Sequence, residues 1–288
     1  MRLLTFLLLT ALSFGKVDSI LIYEGDYARC HTLLEEMLPA AAPGRERAEV
    51  LTRLAEVSML LGEQQQDKAA KQAWFTKGIA YAEQVIQAAP SLPDGYMWHS
   101  ANLGRDCQTR KINDQIAAVP VMLGDLSTIL DKQSRTEYSA AWQALAEIYR
   151  NHPFKPDDAA ANFTRKSISC IPQGELRVET YTLLAEILYK RNWKAARRSS
   201  EMKADMARYR KGGLTNIEKF AYFDGQDGPD AKTPWSGGRP LGEMSDREEA
   251  MALLAYAGSR YAALPRIPYR EKEAFAHLKK LEAKWRQE

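Results

Sequence analysis

Four residues, Trp142, Leu145, Ala146 and Tyr149, constrain this chain more than any other feature of it. In "SAAWQALAEIYRNHP" they are spaced three, one and three apart. On a helix with 3.6 residues per turn that spacing places all four on one face. Large side chains flank one small one, so a neighbouring helix can come close at Ala146 and be gripped on either side. The spacing returns at Tyr181, Leu184, Ala185 and Leu188, and more weakly at Leu51, Leu54, Ala55 and Ser58. Pro43, Pro90 and Pro172 each follow the second helix of a pair. A helix with one apolar face needs a partner. A repeated face implies that each helix pair buries its stripe against the next pair. The expected class is therefore all-α.

The stripe resembles the first-helix signature of the tetratricopeptide repeat, W-x2-L-G-x2-Y, with Ala146 in place of the usual Gly. The expected architecture is a tetratricopeptide-like helical solenoid of antiparallel helix pairs with a C-terminal helical cap. Periodicity runs through most of residues 19–210, and sustained strand alternation is missing. One helix should start at Tyr27 and turn Cys30, Leu33, Leu34 and Met37 to one side. A second should carry Leu51 to Leu61 and end at Gly62. A third should turn Gly78, Ala82, Val85 and Ile86 inward and end at Pro90. Asp94 is the expected N-cap of the next. Pro120 is expected in the first turn of a helix that buries Leu126, Ile129 and Leu130. Asp157 or Asp158 should cap the helix that carries Ala160, Ser167 and Ile168.

The texture changes at Lys211. Residues 211–245 are rich in Gly, Pro and Asp and read as a connection pinned by Phe220, Tyr222, Phe223 and Trp235. Residues 246–288 read as a helix pair with Met251, Leu254 and Tyr261 on its apolar stripe and charges outside, suited to cap an array.

At the other end, "LLTFLLLTAL" follows Met1-Arg2 and precedes Ser13-Phe14-Gly15, the pattern of a secretory signal over residues 1–18. A helix of about twelve apolar residues is about 18 Å long, short of a bilayer core of about 30 Å. A periplasmic or secreted protein, with no stable membrane span once the signal is cleaved, is the expectation. The first cysteine after the apolar run is Cys30, too late to be a lipid-modified N-terminal Cys. Cys30, Cys107 and Cys170 are odd in number. They read as small buried side chains on helices, with one disulfide and a leftover thiol as the alternative.

The formal net charge of +3 on 288 residues is too slight to argue for nucleic acid. Arg197-Arg198 and Lys279-Lys280 read as pairs on solvated helix faces.

Between about Pro90 and Arg197 the chain resembles the T component of TRAP transporters and the related regulators of microtubule dynamics. The stretches that carry the resemblance are "YMWHSANLGR", "EYSAAWQALAEIYRNHPFKPDDAAANFTRKSISCIP" and "TYTLLAEILYKRNWKAA". The resemblance implies an exported, all-helical protein that works with a periplasmic solute-binding protein and a transporter, or holds a ligand in its helical array. The absent lipid-anchoring Cys and residues 211–288 depart from the T component's pattern.

The four histidines are scattered, and no Cys sits at metal-ligand spacing, so no metal and no cofactor are expected. Asp224, Asp227 and Asp230 miss the spacing of a calcium loop and read as a solvated turn. Glu35-Glu36 reads as helix-surface charge. The remaining candidates lie on first helices, which line the concave face of a solenoid. They are His99, Asn102 and Arg105 on one helix, Gln143, Glu147 and Arg150 beside the Trp142 stripe, and Thr182, Glu186 and Tyr189 at equivalent offsets. The expected function is a non-enzymatic binding or adaptor protein that takes a protein or peptide partner, with a small ligand as a further option. The alternatives are a ligand-carrying or pore-forming homo-oligomer, and a helical hydrolase or sugar-processing enzyme.

Overall fold

The structure is a computed structural model that describes residues 14–151, 157–225 and 232–287. Among these residues the chain forms thirteen helices and no strand. It divides into two compact units. The first is Met1–Asp125 with Pro268–Arg270; the second is Leu126–Ile267 with Glu271–Glu288. That boundary falls far from the change of texture at Lys211. The stop at His152-Pro153, the signal up to Ser13, and Asp227 and Asp230 lie outside the described residues.

In the first unit, residues 14–24 form α1, whose last turn, Ile20–Glu24, is a wide π-type turn. Gly25 closes it with φ +70°, and its amide donates to the Ile20 carbonyl at 3.0 Å. A side chain there would be strained, and its Cβ would lie 2.5 Å from the Tyr269 ring. Residues 14–18, at the end of the expected signal, are helical; Val17 is buried, and Arg53 grips both carboxylate oxygens of Asp18.

The other helices of this unit are α2 (Tyr27–Met37), α3 (Arg45–Gln64), α4 (Lys68–Ala88), α5 (Pro93–Gln108) and α6 (Ile112–Ser127), which crosses into the second unit's sequence. Asp26 and Asp67 cap α2 and α4 by accepting from the Arg29 and Ala70 amides. Helix α5 starts one residue before the expected cap: Pro93 sits in the first turn and Asp94 inside it. Consecutive helices pack together, α2 on α3, α3 on α4 and α4 on α5. Short connections make such neighbours antiparallel. The core takes Ile20, Leu34, Leu51, Leu54, Val57, Phe75 and Val85.

Gly62 does not end α3. It lies inside the helix, where a Cβ would meet the Phe75 ring at 2.4 Å. Gly78 plays the same part between α4 and α5, where a Cβ would lie 2.0 Å from Asn102 Oδ1. Pro120 stands inside α6 rather than in its first turn, because the helix begins eight residues earlier at Ile112. Ile112, Ile116 and Val121 of α6 are exposed.

The second unit opens with a π-type turn, Thr128–Lys132, where Ile129 and Leu130 are fully buried. Its helices are α7 (Ser139–Asn151), α8 (Asp157–Ser169), α9 (Val178–Arg191), α10 (Ala195–Tyr209), α11 (Asn216–Phe220), α12 (Asp246–Ala262) and α13 (Tyr269–Trp285). Trp142, Leu145 and Ala146 are fully buried, and so are Leu184, Ala185 and Leu188. The Trp142 indole stacks on Phe163 at 5.9 Å, and its N–H donates to the Thr136 carbonyl at 2.8 Å, so no polar atom of the ring is stranded. Helix α7 packs on α8, and α8 on α9.

The stretch 211–245 holds α11 and two 3-10 turns, and it buries Phe220, Phe223 and Trp235, together with Asp224. Helix α12 belongs to the C-terminal helix pair. It packs on α9, and its buried stripe is Asp246, Glu249, Ala250, Leu253, Leu254 and Ala257. Of Met251, Leu254 and Tyr261, only Leu254 is buried.

Candidate functional site

The nine candidate residues fall into two groups, one in each unit. In the second unit they form a ladder between α7 and α9. Thr180 Oγ1 donates to Gln143 Oε1 at 2.7 Å, and Arg150 Nη2 meets Glu186 Oε2 at 2.9 Å. The two rungs join residues 37 and 36 positions apart, so α7 and α9 run parallel, as successive first helices of a repeat do. The Arg150 and Glu186 side chains are partly exposed, so an incoming carboxylate or cation can compete for either partner. The other oxygen of Glu186 meets His277 Nε2 at 2.9 Å. Tyr189 stacks flat on Trp285 at 4.0 Å, with the Arg247 guanidinium 4.5 Å from its ring centre. Glu147 accepts from Asn151 Nδ2 on the same helix.

Thr182 does not belong to this face. It is buried, and its hydroxyl donates to the Val178 and Glu179 carbonyls of its own helix. The side chain points into the packed side because the buried stripe of α9 is wider than four residues.

The first-unit trio does not converge. His99 Nδ1 lies 2.7 Å from Asp125 Oδ2, and that hydrogen bond raises the imidazole pKa above its ordinary value against the pull of burial. Arg105 donates to Glu63 on α3 at 2.6 Å. Asn102 is fully buried, on the packed side of α5 rather than on an open face. Its amide donates to the Ala55 and Trp98 carbonyls, and it fills the space over Gly78.

Two clusters escaped the sequence reading. One sits under α12. Glu249, fully buried, accepts from Arg165 Nη2 at 2.8 Å, from Arg198 Nη2, and from the Trp235 indole N–H at 3.0 Å. Asp246 takes a bidentate pair from Arg191, both bonds at 2.8 Å, and the Trp193 amide. Burial pushes the Glu249 carboxyl up, but the Arg165 and Arg198 charges outweigh it and hold the pKa below the usual carboxylate range. Arg198, expected on a solvated face, is wholly inside. A signal did exist: Asp246 and Glu249 fall in phase with Ala250, Leu253, Leu254 and Ala257, so any helix that buries those residues buries the acids too.

The other cluster sits on α2 and α4. His31 is buried edge-on to Trp74 at 5.1 Å and beside Tyr81, and burial lowers its pKa. Glu35 binds Lys77 at 3.4 Å and the Tyr81 hydroxyl at 3.3 Å.

Cys30 and Cys107 are buried and Cys170 is half-buried, all as free thiols. Burial, with Asp26 and Glu24 nearby, pushes Cys30 up to about 11. Among the described residues no group of three or more His, Cys, Asp or Glu is placed to hold a metal ion, and no helix is long and apolar enough to cross a membrane.

Comparison with known families adds one finding. Residues 16–124 match the family model of Regulator of microtubule dynamics protein 1-3. The matched segment is well under half of the chain and ends one residue before Asp125, the last residue of the first unit's long segment. Of the three stretches that carry the sequence resemblance, it contains only "YMWHSANLGR". No curated protein and no solved structure matches the chain.

Proposed function

We propose that this chain is an exported, non-enzymatic tetratricopeptide-like binding or adaptor protein, whose working surface is the α7–α9 ladder. The observation that carries the reading is the pair of cross-helix rungs, Gln143–Thr180 and Arg150–Glu186, with Tyr189 at the end of the row. Gln143, Arg150, Glu186 and Tyr189 are held in place by their neighbours yet are only partly buried, whereas Thr180 is fully buried. A partner segment that lies along them meets oriented donors and acceptors without having to order them first. Association with a solute-binding protein and a transporter follows from the resemblance of residues 90–197 to the T component, and a periplasmic or secreted location from the apolar leader.

A photo-crosslinker at position 147 tests the reading in an envelope extract, with a second crosslinker at exposed Lys280 as the control position. The expected result is a defined protein captured from position 147 alone and lost in the Arg150→Ala and Glu186→Ala variants. Equal capture from both positions, or capture that survives both substitutions, ends it.

The homo-oligomer is the second reading, and the exposed Ile112, Ile116 and Val121 of α6 favour it. Light scattering on the purified chain decides: a monomer at all concentrations dismisses it.

A further inference from the structure

Helix α13 meets α9 through Glu271, His277 and Trp285, whose partners Val178, Glu186 and Tyr189 follow in the same order along α9. Glu271 Oε2 accepts from the Val178 amide at 2.8 Å, at the start of α9, where backbone N–H groups lack helical partners. His277 meets Glu186 at 2.9 Å, on the rung that Arg150 also occupies. Trp285 stacks on Tyr189. A further stack, Phe275 on Tyr261 of α12 at 3.9 Å, steadies it. Beyond Tyr269, whose ring packs edge-on against Tyr27 at 6.1 Å, the attachment is made at side-chain tips. Only Leu278 and Trp285 of α13 are buried, whereas α12, on the same helix α9, buries six residues. An element held by few buried apolar contacts opens at lower free energy than the core around it.

We propose that α13 is an internal occupant of the α9 face, released when a partner helix takes its place. This rests on the reading of the α7–α9 ladder as the binding surface, and it names the partner by chemistry. The partner is an amphipathic helix with a carboxylate at its start to meet the Val178 amide. It carries a flat ring fourteen residues later, the Glu271-to-Trp285 spacing, to lie on Tyr189. Recognition is then helix-in-groove, and the free protein is partly self-blocked.

The test uses the full chain and a fluorescent peptide of residues 269–287 as probe. Hydrogen exchange should show α13 amides exchanging faster than those of α9 and α12. Trp285→Ala should release α13 and bind the peptide about tenfold or more tighter than the unsubstituted protein, because self-occupancy divides apparent affinity by the open fraction. If that variant unfolds, Glu271→Ala with His277→Ala removes the other two attachments while keeping the buried ring. Adding Tyr189→Ala to either variant should abolish the gain. Equal peptide binding by released and unsubstituted protein overturns the proposal, as does α13 exchanging as slowly as α9. A positive peptide result with no partner captured from position 147 sinks the adaptor reading alone. Capture without any peptide exchange sinks this inference alone.

Discussion

The two units bring helices together by opposite chemistry. In the first, contact depends on what is missing: Gly62 lets Phe75 in, Gly78 makes room for Asn102, and a Cβ on Gly95 would sit 3.0 Å from Val85 and Ile86. At these three glycines the backbones approach closely, and the gain is dispersion with no charge to desolvate. In the second, contact depends on what is added. Trp142, Phe163, Tyr209, Phe220 and Phe223 form an aromatic group, and Arg165, Arg198, Arg191, Asp246 and Glu249 form a buried ionic one. The first scheme tolerates no extra methyl. The second tolerates no single charge removed from its partners. The family match covers the glycine-packed unit, while the Trp142 stripe belongs to the unit packed by rings and ions. The two sequence signals therefore describe different halves of one chain.

The largest effect is expected at Glu249. Glu249→Ala leaves Arg165 and Arg198 buried without their shared carboxylate, at a cost of about 3–5 kcal/mol. Urea unfolding followed by hydrogen exchange should show α8, α10 and α12 losing protection together. Replacing Arg165, Arg198 and Glu249 at once by Met or Leu should restore most of the loss, since a well-packed apolar set matches a buried ion group in stability. A Glu249→Ala protein as stable as the parent would show that the cluster is solvated and would erase the contrast between the units.

In the glycine-packed unit the counterpart is Gly78→Ala. Its methyl would sit 2.0 Å from Asn102 Oδ1, in a site closed by α5. Overpacking of this kind costs about 1–3 kcal/mol, against a helix-propensity gain of up to about 1 kcal/mol. Net destabilisation, read as a lower urea midpoint, is expected. Asn102→Ala in the same chain should recover part of it by removing the amide that the methyl strikes. A stabilised Gly78→Ala would mean that α4 and α5 separate freely and that close approach is not what holds this unit.

Much of this was legible in the sequence. The stripes at Trp142 and Tyr181, and the one that includes Leu51, Leu54, Ala55 and Ser58, predict buried faces, and those residues are buried apart from Tyr149, which is half-buried. Periodicity reports such faces because it depends on one helix alone. What escaped depends on two helices meeting. Gly62 read as a helix end because a glycine that ends a helix and one that admits a ring look alike in one dimension. Arg198 read as solvated because its carboxylate stands 51 residues away. The candidate site was half legible for the same reason. Gln143, Arg150, Glu186 and Tyr189 share a face by spacing, whereas His277 and Trp285 reach that face from a distant helix. Asn102 and Thr182 sit on the expected helices by spacing, but their side chains are buried.

A smaller effect separates two histidines within the first unit. Burial lowers the His31 pKa from its ordinary value of 6.5, so the unfolded chain takes the proton more readily, and stability is lost as pH falls below that value. The Asp125 hydrogen bond raises the His99 pKa, so its contribution is fully present below 6.5 and lost as pH rises through the raised value. His31→Gln should therefore flatten the acid side of the unit's stability profile, and His99→Gln should remove the gain on acidification. Urea midpoints of unit-one probes across the neutral to mildly acidic range give both slopes. Matching slopes in the two variants would contradict the opposite environments assigned to the rings.

The smallest stability effect is expected where the functional effect should be largest. Arg150→Ala breaks a partly exposed ion pair, worth about 0.2–1 kcal/mol. His277 remains on the other oxygen of Glu186, so the carboxylate keeps a partner. The urea midpoint should hardly move, yet capture from position 147 should fall. That split separates a surface that binds from a contact that folds. Glu249 and Gly78 belong to the second kind, since their substitution should cost stability in proportion to any loss of binding. If Arg150→Ala instead lowers the midpoint as far as Gly78→Ala does, the ladder is a packing device like the buried pairs beneath α12. The working surface must then be sought away from α7 and α9.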